Sequence, residues 1–194
     1  MRVDHRMLAL MLLGLPLAGM VQSEAAEPVE GEQRVLAESF AQLVFGFCAA
    51  IVSGNSNPGL DQMPPDMMLR GPFPLSEAAP LSAPLQARLK AKPEAMIYAA
   101  TTSAARVGRF QIAYALADGS ACVALAQDMP DVVSEISDRI DSDTQYKLQA
   151  EDKERRIYAG TAAGGERAIE ISLPANLKVS GMEDVQVRRL RKTR

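Results

Sequence analysis

From Glu32 to Ser53 the apolar residues recur at helical spacing. Leu36, Phe40, Leu43, Val44, Phe47, Cys48 and Ile51 fall on one side, and Glu32, Arg34, Glu38 and Gln42 on the other. Steps of three and four residues bring such side chains onto one helical face. Gly54 is a natural stop, because it enters left-handed backbone without a steric penalty. The pattern predicts an amphipathic helix whose apolar stripe carries Cys48 into the core. Its polar side holds a single arginine beside two glutamates, short of the many lysines and arginines of a membrane-surface helix, which favours packing against a sheet.

The pattern then breaks. Residues Asn55 to Pro84 hold Pro58, Pro64, Pro65, Pro72, Pro74, Pro80 and Pro84, with Asn55, Asn57 and Gly59 at the start. Such punctuation predicts an irregular surface segment over 54–84, a Pro/Met-rich loop. Loops of that length inside a compact domain are commonly functional. Met63, Met67 and Met68, with Phe73, are the candidate contact surface on it. A short helix is expected from Ser82 to Ala91, with Ser82 as cap, Pro84 in the first turn, and Leu85 and Leu89 facing in.

Period-two alternation takes over next. Met96 to Thr102 reads as a strand, and Phe110, Ile112, Tyr114 and Leu116 alternate with Gln111, Ala113 and Ala115 in the manner of a half-buried strand. Asp118-Gly119 is a hairpin turn, since both residues tolerate positive φ. With a two-residue turn, Ala115 faces Cys122 and Tyr114 faces Val123. One sheet face then carries Phe110, Ile112, Tyr114, Val123 and Leu125, and the other Ala113, Ala115, Cys122 and Ala124. The second face is built of small side chains, so the first helix can approach it closely, with Cys48 over Cys122. Pro130 opens a further helix capped by Asp128 or Met129, with Val132, Val133, Ile136 and Ile140 inward. Strands are expected at Gln145 to Ala150, Arg155 to Thr161, Ala168 to Leu173 and Val185 to Leu190, with a hairpin turn at Gly164-Gly165. The order gives an α+β fold: a single small domain over 26–187, its antiparallel sheet covered by an N-terminal helix and a second helix. Arg188, Arg189, Arg191, Lys192 and Arg194 make a basic, frayed C-terminal tail over 188–194. No repeat is legible beyond a loose resemblance of two hairpin units around the second helix.

The segment before this domain changes the picture most. Arg2 and Arg6 precede an uncharged apolar run from Met7 to Val21, followed by Ser23 and Ala25. This is the plan of a cleaved signal peptide over residues 1–25. A spanning anchor needs ~20 apolar residues, more than this run supplies, and no transmembrane span is expected in the mature chain. A periplasmic or secreted location follows, and there the two cysteines, Cys48 and Cys122, are expected to pair. Closing so long a loop stabilises a fold by roughly 4 kcal/mol in the chain-entropy model. The alternative is two buried thiols that never meet.

Composition mainly excludes. The 194-residue chain carries a net charge of −3, no Trp and 5% aromatic residues. A mildly acidic surface is a poor partner for nucleic acid, and so few rings make poor stacking platforms. Cleavage also removes His5, the only histidine. That excludes Ser-His-Asp and Cys-His nucleophiles and His-based metal sites. No serine has a lysine three positions on, and no P-loop is present. Gly160 to Gly165 is glycine-rich, but it lies between two strand patterns and reads as a hairpin. Among carboxylates, Glu135, Asp138, Asp141 and Asp143 sit on or just after the second helix, where they read as a solvated face. The start Asp141-Ser142-Asp143 does not continue as a calcium loop. Met63, Met67 and Met68 are a weak Cu(I) set without histidine or cysteine, and they read better as gap fillers or an adaptable apolar surface. No cofactor or metal is expected. The function expected is binding of another protein or an envelope component, without catalysis. The alternatives are a carboxylate-only envelope hydrolase and an exported inhibitor or immunity-type protein.

Overall fold

The computed structural model describes residues 30–54, 66–78, 81–103, 110–162, 165–175 and 182–190. Residues 1–29, which include the segment expected to be a signal peptide, lie outside these, as do Met63 and the end of the basic tail. The described residues form one antiparallel sheet of eight strands with helices on it. Helix α1 runs from residue 30 to 53 as α-helical Glu30–Ala41, π-helical Gln42–Ala49 and α-helical Ala50–Ser53. Strand β1 is Met67–Pro74, followed by a 3-10 turn at Leu75–Glu77 and helix α2 at Ser82–Leu89. Strands β2 (Met96–Thr102), β3 (Gln111–Leu116) and β4 (Ala121–Gln127) complete a four-strand meander. Helix α3 (Pro130–Ser142) leads to a second meander: β5 (Tyr146–Glu151), β6 (Arg155–Thr161), β7 (Ala168–Pro174) and β8 (Met182–Arg189). The spatial order is β1-β2-β3-β4-β8-β7-β6-β5. Each half is thus a helix followed by four strands, and the last strands of the two halves meet at the centre.

The expected hairpin register holds. Ala115 pairs with Cys122 and Tyr114 with Val123, so the two faces separate as the alternation requires. Ala100, Ala113, Ala115, Cys122, Ala124 and Ala126 lie under α1, in one core with Phe40, Leu43, Val44, Phe47 and Ile51. On the other side, Ile97, Tyr114, Val123 and Leu125 form a second core with Leu75, Leu85 and Leu89. Strand β3 is therefore covered on both faces, where its alternation predicted only one. Gln111 shows the consequence. Reading as the polar side of a half-buried strand, it is instead fully buried. Its Nε2 donates to the Leu36 carbonyl at 2.7 Å, and its Oε1 accepts from Thr102 Oγ1 at 3.2 Å. A buried amide with partners on both ends is stable there, and it fixes α1 on the sheet.

The disulfide Cys48–Cys122 is present, with Cα atoms 5.2 Å apart. Residues Gly31–Ser53 are long and apolar enough, at a mean hydropathy of 1.9, to cross a membrane by length and composition. Here that stripe is spent on the alanine face of the sheet, to which Cys48 is bonded. Helix α1 stops at Gly54, whose φ of 118° is open to glycine. The π-helical stretch had no sequence signal. Its wider turns still bury Leu43, Val44, Phe47 and Cys48 on the sheet side.

Three expectations are corrected. The segment over 54–84 is not irregular throughout: Met67–Pro74 is an edge strand, followed by the 3-10 turn and the start of α2. Proline and glycine misled because an edge strand needs no N–H on its outer side. Arg188 and Arg189, expected both in a strand from Val185 to Leu190 and in a frayed tail, belong to the strand: they lie in β8, between β4 and β7. The cap position of α2 is Leu81 and not Ser82, while that of α3 is Met129, one of the two positions expected; neither has a side-chain cap.

The second meander differs from the first on its outer face. There Arg155 donates to Ser172 Oγ at 2.9 Å and to Asp184 Oδ1 at 3.0 Å, while Gln186 Nε2 donates to Asp184 Oδ2 at 2.7 Å. Cross-strand polar pairs replace the helix that covers the first half.

One buried carboxylate lies at the seam. Glu183, opposite Ala126, is 6% exposed. Its Oε2 accepts weakly from the Met129 N–H at 3.5 Å, and its Oε1 has no partner among the described residues. Burial, with a smaller contribution from the Asp128 charge, pushes its pKa above the ordinary 4.5. A raised carboxylate pKa means the folded state binds the proton more tightly, so stability rises as pH falls from neutral through that pKa towards 4.5. Asp152 acts in the opposite direction in a lower window. Backbone N–H groups of Arg155 and Glu154 hold its carboxyl below 3.8. Glu183→Gln is expected to stabilise the fold at neutral pH by about 1 kcal/mol, since an amide has no charge to desolvate. It should also flatten the pH dependence above 4.5. Urea melts from pH 5 to 8, at roughly unit steps, check this; a variant slope equal to the wild-type slope would remove Glu183 as its source.

Candidate functional site

Strand β1 is the outermost strand of its half, and among the described residues no strand pairs with its other side. Its alternation places Met67 and Leu69, opposite Thr102 and Ala100, towards α1. Met68 and Arg70, opposite Thr101 and Ala99, face the α2 side. A bulge between Arg70 and Phe73 then adds one residue to β1. Phe73 therefore pairs with Ile97 and points to the same side as Met68 and Arg70, which strict alternation would have denied it. Gly71 makes the bulge feasible. Its φ is 118°, and a Cβ there would meet the Ile97 carbonyl oxygen at 2.7 Å.

The bulge assembles a hollow of about 350 Å³ beside the free edge, lined by Met68, Arg70, Phe73, Glu77, Ala78, Ala99, Thr101, Ile112 and Tyr114. Its floor is apolar: Ala99, Ile112 and the ring of Tyr114. Arg70 and Glu77 place opposite charges on its wall, and Thr101 supplies a hydroxyl. Burial raises the pKa of Tyr114 above 10.0, so its phenol stays neutral and available as a donor. Met68 is 64% exposed, a large apolar side chain presented to solvent. The expected contact residues thus separate. Met68 and Phe73 share this hollow, whereas Met67 is buried in the α1 core and Met63 lies outside the described residues. Arg70, Glu77, Thr101, Ile112 and Tyr114 were not expected at a site. Only the outward face of β3, with Ile112 and Tyr114 on it, signalled any of them.

Of the carboxylates expected on and after α3, three have partners, and Asp138 is exposed to solvent. Glu135 accepts from Arg139 at 2.6 Å. Asp141 accepts from the Tyr158 hydroxyl at 2.8 Å and from Arg156 at 3.3 Å. Burial, then the Asp141 hydrogen bond, raises the Tyr158 pKa. Asp143 Oδ1 accepts from the Gln145 N–H at 2.8 Å, closing the turn after the helix. Asp141 thus joins α3 to β6, Glu135 pairs within the helix, and these groups lie along one helix and its end instead of facing one another across a cleft. Among the described residues no group of three or more His, Cys, Asp or Glu is placed to hold a metal. Comparison of the chain with protein-family models, with curated proteins and with solved structures finds no match.

Proposed function

We propose that the protein is exported and binds an extended segment of another envelope or secreted protein along β1, with an apolar side chain of that segment seated in the adjoining hollow. The observation that carries this reading is a strand edge without a partner among the described residues, beside a hollow of mixed polar and apolar lining to which Met68 and Phe73 contribute. Backbone pairing at a sheet edge supplies affinity, and a pocket for alternate side chains supplies selectivity. Methionine and phenylalanine adapt to varied apolar partners at little cost. Arg70 and Glu77 would orient a segment carrying the opposite charges. Export rests on the residue 1–25 pattern and on the disulfide, which persists in an oxidising compartment. The carboxylate-only hydrolase is the weaker alternative, since Glu135, Asp141 and Asp143 are engaged by arginine, tyrosine and backbone and the exposed Asp138 shares their helix.

Affinity capture from the protein's own periplasmic or secreted fraction, with mass spectrometry of what is retained, tests the reading. Wild type should retain a defined partner, and Met68→Glu should lose it by roughly tenfold or more, as expected for a contact residue at the centre of an interface. Val35→Glu is the control, because Val35 is 55% exposed on α1, away from the hollow. Equal retention by wild type and Met68→Glu would sink the proposal.

A further inference from the structure

A second region, independent of the β1 hollow, lies where the end of α2 meets the β3–β4 hairpin and the end of β8. Two adjoining hollows open there, of about 410 and 450 Å³, sharing Lys90, Leu116 and Ser120. The first is lined by Leu89, Lys90, Leu116, Ser120, Ala121, Arg188 and Arg189: three cations and no carboxylate. The second adds Lys92, with Glu94 and Asp118 opposite. Asp118 is already engaged, accepting from the Ser120 N–H at 2.8 Å.

Both guanidinium groups are held by neutral partners. Arg188 Nη2 donates to the Arg88 carbonyl at 2.6 Å and to Gln186 Oε1 at 2.9 Å. Arg189 Nη2 donates to the carbonyls of Asp118 and Gly119 at 3.1 and 2.8 Å. Among the described residues neither arginine, nor Lys90, forms an ion pair. Arg189 Nε is buried with no acceptor. Both arginines are therefore oriented by neutral oxygens; as neighbours in β8 their side chains leave opposite faces of the sheet, Arg188 towards α2 with Glu170 opposite it on β7, and Arg189 towards the hairpin tip. Lys90 closes α2 at φ 52°, a left-handed position where glycine or asparagine fits more easily. What lysine adds there is an ammonium at the mouth of the hollow. A cation at a helix C-terminus satisfies the local dipole, but that accounts for Lys90 and not for Arg188, which lines the same hollow from the α2 side of β8. Leu89, Leu116 and Ala121 give the same cavity an apolar wall.

We propose that this hollow binds a phosphate-bearing head group joined to an apolar or neutral body. Arginine forks and a lysine ammonium match the oxygens of a phosphate, singly or in pairs. The apolar wall accepts what the phosphate is attached to. Two sources share this chemistry: an anionic phospholipid and a free phosphorylated small molecule.

Flotation of the full chain with phosphatidylcholine vesicles, with and without added phosphatidylglycerol, tests the lipid source. Titration with glycerol 3-phosphate, followed by calorimetry, tests the soluble one. Binding to one or both probes is expected, weakening as salt rises. Lys90→Glu should reduce it by roughly tenfold, the loss of one charge-assisted contact and its replacement by a repulsive one. Lys90→Asn should reduce it several-fold while leaving the melting temperature unchanged or higher, so that binding and folding are read separately. Displacement of the protein from anionic vesicles by glycerol 3-phosphate identifies the soluble source, and vesicle binding that resists it identifies the lipid. Neither probe binding, or Lys90→Glu binding as wild type does, overturns the proposal.

Discussion

Serine at both Cys48 and Cys122 lowers the melting temperature by roughly 10 °C, as a loss of roughly 4 kcal/mol implies for a domain of this size. The bond closes a loop with a sequence separation of 74. In the chain-entropy model that constraint falls on the unfolded state, whose conformations the crosslink removes. The effect is enlarged by where the bond sits. It joins the π-helical part of α1 to β4, and both sulfur-bearing residues are buried in the larger core. Two hydroxyls in their place would be buried polar groups in an apolar setting, which adds to the cost. Circular dichroism melts of the double variant, and of wild type with and without reductant, measure this. Wild type reduced and the double variant should agree within a few degrees. A double variant melting with oxidised wild type would show that packing alone holds α1 on the sheet.

Ala124→Leu is the second large effect expected, about 3 kcal/mol of destabilisation. Ala124 is fully buried, with Ala113 and Val185 as its neighbours across the sheet. It belongs to a patch in which alanine recurs on β2, β3 and β4 beneath α1. Small side chains set the distance between helix and sheet, and a tightly packed interior has no room for three more carbon atoms. A leucine must either lift α1, which strains the Cys48 linkage, or take a rotamer its surroundings oppose. Denaturant unfolding gives the magnitude. Leu125→Ala, on the opposite face, is the comparison: it leaves a cavity instead of a clash and should cost about 2–5 kcal/mol without disturbing α1. Hydrogen exchange along α1 separates the two cases, since only Ala124→Leu should speed it. Unchanged stability in Ala124→Leu would mean that the alanine face does not set the spacing.

Much of this architecture is legible along the chain because its elements obey one period each. The α1 stripe, the β3–β4 register and the helix at Pro130 need only alternation and a two-residue turn. From those, the position of Cys48 over Cys122 follows. What was not legible depends on tertiary neighbours. Met67–Pro74 has the composition of a loop, and it becomes a strand only because β2 offers it an edge. Whether Gln111 is exposed or buried depends on α1 lying above it. The placement of β8 at the centre depends on a pairing between residues far apart in sequence. The candidate site shares that character. Met68 and Phe73 were visible as apolar residues in a polar stretch, but their convergence on Tyr114 requires a bulge that no periodicity announces. Arg188 and Arg189 read as a terminus for the same reason: charge density near a chain end says nothing about strand pairing.

The seam between β4 and β8 sets an order of events for a chain made from its N-terminus. Strand β4 has its β3 partner as soon as the first hairpin forms, but its other edge waits for residues Met182–Arg189, which emerge only after β5, β6 and β7. Through synthesis and any crossing of a membrane, the first helix-and-meander half therefore displays a long apolar strand with one row of unpaired amides. Until the second half arrives, that row is open to any strand of the right register, including β8 of another copy. The crosslink from Cys48 to Cys122 lies wholly within the first half, so it can form before the second half has docked. Oxidation can thus stiffen β4 into the template on which the remainder of the sheet is completed.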